Sequence, residues 1–142
     1  MPRMLTASTL AVLLLPALLR ADDAPKGDKD LEGEWERVSC IHDGAEATGK
    51  AVLTFSGDSA TVKIGDDTAK ASLKIDAAKT PKRIDVMITA GRLKDFTLLG
   101  IYEVKGDELR MCGADPDKDR PTEFSSKQGS GWSLETYKRV KK

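Results

Sequence analysis

The chain has a single histidine, His42, only two cysteines, Cys40 and Cys112, and no excess of charge of either sign. Each shortage excludes something. A serine or cysteine nucleophile would have to use His42 as its base, and no Gly-x-Ser-x-Gly elbow is present to expose one. Cys40, His42 and Cys112 are residue types that zinc prefers, but their spacing fits no common zinc pattern. His42 therefore reads as a turn histidine, and no metal or other cofactor is expected. The 23 basic and 23 acidic residues cancel, which leaves no basic surface to neutralise phosphates, so nucleic acid is not expected as a partner. Paired carboxylates such as Asp66-Asp67, or Asp115 with Asp117, sit in turns and read as solvated loops rather than a glycosidase pair. No catalytic residue emerges, and a hydrolase-type enzyme is the least supported reading.

A long hydrophobic run is also missing. Residues 4–19 form, after Arg3, an apolar stretch interrupted only by small or hydroxyl residues and Pro16, which then gives way to Arg20-Ala21-Asp22-Asp23. The run is shorter than the roughly 20 residues of a membrane-spanning helix, and Ala21 supplies a small residue at a cleavage point. Residues 1–21 thus read as a signal peptide, with an uncleaved anchor as the alternative. No cysteine follows the run to accept a lipid. The expected location is periplasmic or extracellular, with no stable membrane span after cleavage. Cleavage removes Arg3 and Arg20 but no acid, leaving 21 basic against 23 acidic residues. Residues 22–30, charged and holding Pro25 and Gly27, read as a flexible leader, and 31–142 as one domain.

Within that domain no segment sustains a helical period. Short alternating runs separated by turn residues predict an all-β fold. The runs are 34–42, 51–55, 60–64, 69–75, 84–89, 96–104, 108–112 and 132–140. Ser56-Gly57-Asp58-Ser59, Gly65-Asp66-Asp67 and Lys105-Gly106-Asp107 supply turns between them. Ala60, Val62 and Ile64 share one face of the third run, and Ala69, Ala71, Leu73 and Ile75 one face of the fourth. Eight short antiparallel strands in chain order fit an up-and-down barrel, which closes on itself and leaves no edge; an open sandwich is the alternative.

Gly33-x-Trp35 at the start of the first run, with Arg139 near the end of the last, resembles the barrel-closing pair of lipocalins. There a guanidinium lies on an indole face. More of the chain, about 31–140, resembles an uncharacterised family of small secreted lipocalin-like domains known mainly from planctomycete bacteria. The segments carrying the likeness are Leu31-Glu32-Gly33-Glu34-Trp35, Leu99-Gly100-Ile101-Tyr102-Glu103, Asp107-Glu108-Leu109-Arg110-Met111-Cys112, Arg120-Pro121-Thr122-Glu123-Phe124 and Gly129-Ser130-Gly131. The resemblance implies a lipocalin-like barrel and export, and no established activity.

Three features carry the functional expectations. Export would place Cys40 and Cys112 in an oxidising space, so they read either as a disulfide or as two separate buried thiols. A simple meander puts the eighth strand between them, which argues partly against the bond, whereas both fall at the same end of the barrel, where a staggered eighth strand would let them meet, so the two readings stay open. The inner faces mix bulky Trp35, Phe55, Val62, Leu73, Phe96, Leu109 and Met111 with small Ala60, Ala69, Ala71 and Gly100. That mixture suits either a hollow barrel, with Phe55, Val62, Leu73, Phe96, Leu109 and Met111 lining a ligand, or one filled by its own side chains. Arg120, Glu123 and Phe124 lie in the long connection before the last strand and read as a lid or as a structural cover. The leading function is a binding module for a small apolar molecule or an envelope protein. The alternative is a structural or interaction domain of the cell envelope.

Overall fold

The structure, a computed structural model, describes residues 27–141. The segment read as a signal peptide lies outside the described residues, as does the leader up to residue 26. Among the described residues nine strands follow a 3-10 turn, Lys29–Leu31: β1 Gly33–His42, β2 Ala45–Glu46, β3 Ala51–Ser56, β4 Ser59–Ile64, β5 Asp67–Asp76, β6 Lys82–Ala90, β7 Thr97–Lys105, β8 Glu108–Ala114 and β9 Trp132–Arg139. Every pairing is antiparallel. The order runs β1-β3-β4-β5-β6-β7-β8-β9, and β9 pairs back onto β1. The result is a closed eight-stranded barrel with β2 added beside β1, as the alternation predicts for all but β2.

The turns explain the hairpins. Gly57-Asp58, Gly65-Asp66 and Gly106-Asp107 are two-residue connections whose glycines have φ near +60°. Glycine at the first central position is the pattern of a type II′ turn, whose twist matches the flanking strands. Asp43 and Gly44 both take positive φ, 50° and 86°, as a type I′ turn requires. That Asp-Gly pair turns the chain back into β2, an element absent from the eight expected runs although its turn chemistry was visible.

One end of the barrel is filled. Leu31, Trp35, Leu53, Phe55, Leu73, Ile84, Tyr102, Leu109 and Tyr137 belong to one buried cluster, with Trp35, Tyr102 and Leu109 each 0% exposed. The 3-10 turn lies against this end. Asp28, its N-cap, accepts from Tyr102 Oη–H at 2.7 Å and from Lys82 Nζ at 3.1 Å, while Trp35 Nε1–H donates to Leu31 O at 2.8 Å. Asp28 and Asp30, placed in a flexible leader by sequence, are thus part of the folded domain, because they satisfy groups at the barrel's end. Among the described residues no helix is long and apolar enough to cross a membrane.

A bulge in β1 changes what faces inward. Pairing with β9 shifts between Arg37 and Ser39, so Trp35, Arg37 and Cys40 all fall on the inner face, while Val38 is exposed. Cys40 is opposite Glu135 and Cys112 opposite Leu134, neighbouring positions on β9 that point to opposite sides. Both cysteines are free and buried. The disulfide expectation is corrected accordingly. Two strand spacings separate the backbones by about 9.5 Å, beyond the roughly 7 Å limit for a bridge, and the side chains diverge. Burial pushes both thiols' pKa up, with Glu135 adding to the effect at Cys40.

Candidate functional site

Alternation on β4–β6 places Ala60, Val62, Ala69, Leu73, Val86 and Ile88 on one continuous apolar wall inside the barrel. Because Ala60 and Ala69 are small, the wall does not reach the opposite side. A cavity of about 360 Å³ remains in the half of the barrel away from the 3-10 turn, within the range of small-molecule pockets. Phe55 and Leu53 border it towards the filled end, and Ile64, Leu93, Asp115 and Pro116 also line it.

The facing wall, where β1 meets β9, is polar. Arg37 is opposite Tyr137, and Glu135 is two residues before Tyr137 on the same inner face. Tyr137 Oη–H donates to the Glu135 carboxylate. Burial raises the Tyr137 pKa far above the ordinary phenol value, and the Glu135 charge raises it further, so the hydroxyl stays a donor. Arg37 Nη2–H donates to Gly49 O at 3.1 Å. Among the described residues Arg37 forms no ion pair with Glu135, and neither side chain has a buried atom without a partner. Both residues contribute to the lining of the cavity.

The residues singled out by sequence divide as follows. Phe55, Val62, Leu73 and Met111 line the cavity. Leu109 does not: it pairs with Tyr137 and Val104 in the filled half and is fully enclosed. Phe96 precedes β7, lies in the connection after β6 and is 44% exposed. The Arg139 guanidinium carbon is 4.2 Å from the Trp35 ring centroid, and Nη1–H and Nη2–H donate to Glu32 O and Asp30 O. His42 Nε2 is 3.0 Å from the Asp115 carboxylate, and both groups are exposed. No cluster of three or more potential metal ligands occurs among the described residues.

After Asp115 and Pro116, which border the cavity, the connection to β9 runs along the barrel's outside. Arg120 donates to Gly100 O at 2.8 Å and Ile84 O at 3.3 Å, and pairs with Asp85, an outward position of β6. Phe124 stacks on the outward Arg110, 4.5 Å from guanidinium carbon to ring centroid. Glu123 is near Lys127 at 3.9 Å. Cys112 Sγ–H donates to Ser125 O at 3.1 Å, and Pro121 is fully buried. Arg120 and Phe124 thus cover the outer face of β6–β8, Glu123 is exposed within the same loop, and none of the three lines the cavity.

Compared with family models, curated proteins and solved structures, the chain matches none of them. The site is therefore characterised by its own chemistry.

Arg37, Glu135 and Tyr137 are the functional candidates that sequence reasoning passed over. Period two from Trp35 reaches Arg37, and period two back from Arg139 reaches Tyr137 and Glu135. Polar residues at inward positions were the available signal.

Proposed function

We propose that this is an exported, lipocalin-like binding module that holds one small, mainly apolar molecule in the open half of its barrel. The observation carrying the reading is the 360 Å³ cavity with an apolar wall on β4–β6 and a short polar wall on β1 and β9. Concave, largely apolar space with a few convergent polar groups is the usual form of a small-molecule site. Export rests on the signal-peptide pattern of residues 1–21, and the lipocalin likeness on the sequence segments named above.

Fluorescence of N-phenyl-1-naphthylamine tests the binding reading. The unchanged protein should enhance its emission saturably, and the double variant Val62→Phe/Val86→Phe, which fills the apolar side, should lose the enhancement while keeping its β-sheet circular dichroism. Equal enhancement by both proteins would place the probe elsewhere and sink the reading.

A second reading, contact with an envelope protein, has one observation in its favour. Met87, Leu93 and Phe96 are all exposed at the end of the β6–β7 hairpin, where apolar side chains could meet a partner. Pull-down from envelope extract with Phe96→Ser as the control distinguishes it: a partner captured equally well by the variant would discard this surface.

A further inference from the structure

The cavity's charged lining narrows the class of molecule it suits, an inference that rests on the binding reading above. Three charged residues contribute to the lining: Arg37, Glu135 and Asp115. Asp115 is paired with His42 and exposed. That leaves one guanidinium and one carboxylate on the β1–β9 wall, each already holding one neutral partner, Gly49 O for Arg37 and Tyr137 Oη–H for Glu135. The wall thus carries a guanidinium on β1 and, from β9, a carboxylate two residues before Arg37's cross-strand partner Tyr137, with opposite charges and no second cation in the lining.

An ionised head group would meet one attractive and one repulsive neighbour there. It would also lose its hydration shell in a space that is apolar on the other side, and burial of a charge is unfavourable unless it is fully paired. A neutral head that both donates and accepts meets no such conflict. Its oxygen can accept from Arg37 and its hydrogen can be donated to Glu135, and hydrogen bonds to charged partners are the stronger kind. The apolar remainder then faces Val62, Ala69, Leu73, Val86 and Ile88. The cavity, about 360 Å³, is in the size range of small-molecule pockets.

We infer that the barrel selects an uncharged amphiphile, an alcohol or primary amide on a medium-length hydrocarbon, with its head hydrogen-bonded between Arg37 and Glu135 and its chain against β4–β6. Arg37 supplies the donor, Glu135 the acceptor, and Tyr137 holds the Glu135 carboxylate in place.

Nuclear magnetic resonance titration of the isotopically labelled full chain with decanol, decanamide, decanoate and decylammonium at neutral pH tests this. Decanol and decanamide should shift the amides of Leu73, Val86 and Glu135 at the lowest concentrations, with decanoate and decylammonium about tenfold weaker, one decade in Kd. Glu135→Gln, which leaves Arg37 uncompensated, should bring decanoate level with or ahead of decanol. Arg37→Gln should do the same for decylammonium. Decanoate or decylammonium binding best to the unchanged protein, or all four binding equally, overturns the neutral-head inference and leaves the cavity reading standing. No shift at cavity residues with any of the four overturns the cavity reading itself.

Discussion

The two halves of the barrel are built from the same alternating strands and differ in what the inward positions carry. At the end capped by the 3-10 turn, Trp35, Tyr102, Ile84 and Leu109 are large and meet across the interior, and polar atoms there are bonded to one another. At the other end, inward positions hold Ala69 and Gly113, and space remains. Stability should therefore be concentrated in the filled half, because dispersion and burial need atoms on both sides of a contact. The proposed binding belongs to the open half, where the cavity lies.

The strongest way to break this comparison is at Trp35. Trp35→Ala removes a fully enclosed indole, its hydrogen bond to Leu31 and the surface on which Arg139 lies. It should cost about 3–5 kcal/mol, measured by urea unfolding; a loss below about 1 kcal/mol would mean that this end is not the stable one.

Tyr102→Phe comes next. It deletes the hydroxyl that donates to Asp28, expected to cost about 1.5–3 kcal/mol for a bond to a charged group. Burial pushes the Asp28 carboxyl up, but hydrogen bonds from Tyr102, Asp30 N–H and Lys82 outweigh it and hold the pKa below the ordinary 3.8. A lowered folded pKa means stability that is complete above the ordinary value and lost as pH falls below it through the folded value. The unchanged protein should lose stability below about pH 4 more steeply than Tyr102→Phe. Parallel acid-unfolding curves for the two would remove Asp28 from the account.

Arg139→Ala tests the closure from outside. It removes the cation over Trp35 and two donors to Glu32 O and Asp30 O. The expected loss is about 1–2 kcal/mol by chemical denaturation, and Arg139→Lys should recover only part of it, since the planar fork is lost.

In the open half the same measurement should register little. Val86→Phe adds bulk beside existing space, so its cost should stay below about 1 kcal/mol, whereas overpacking a filled core costs about 1–3 kcal/mol. A larger loss would show that the open half is as tightly packed as the other. Smallest of all is the effect of reductant: with Cys40 and Cys112 unpaired, dithiothreitol should leave the thermal midpoint unchanged, and a shift of several degrees would reveal a bond between them.

Much of the fold was legible because strand alternation and turn chemistry are local. The expected run 60–64 starts one residue after β4, and the run 108–112 shares the start of β8 and ends two residues before it. The site was legible only in part. Phe55, Val62, Leu73 and Met111 were named from face patterns, but Leu109 shares that pattern and ends in the filled half, since periodicity gives a residue's side and not its height along the barrel. Phe96 missed the wall because β7 begins one residue later. Cys40 faces inward only because the bulge at Val38 shifts the phase of β1, and a bulge depends on the partner strand β9.

The amino-acid sequence by itself determined eight of the nine strands and their glycine–aspartate turns, because these follow from period two and from residues that permit positive φ, while the pairing of Trp35 with Arg139 was what the resemblance to lipocalins implied. Tertiary structure decided the rest. Only closure of β9 on β1 sets Arg37 beside Tyr137, separates Cys40 from Cys112, sends Arg120 and Phe124 to the outer face, and leaves one half of the interior empty. Those outcomes depend on register and on volumes summed across eight strands, which no local stretch of sequence contains.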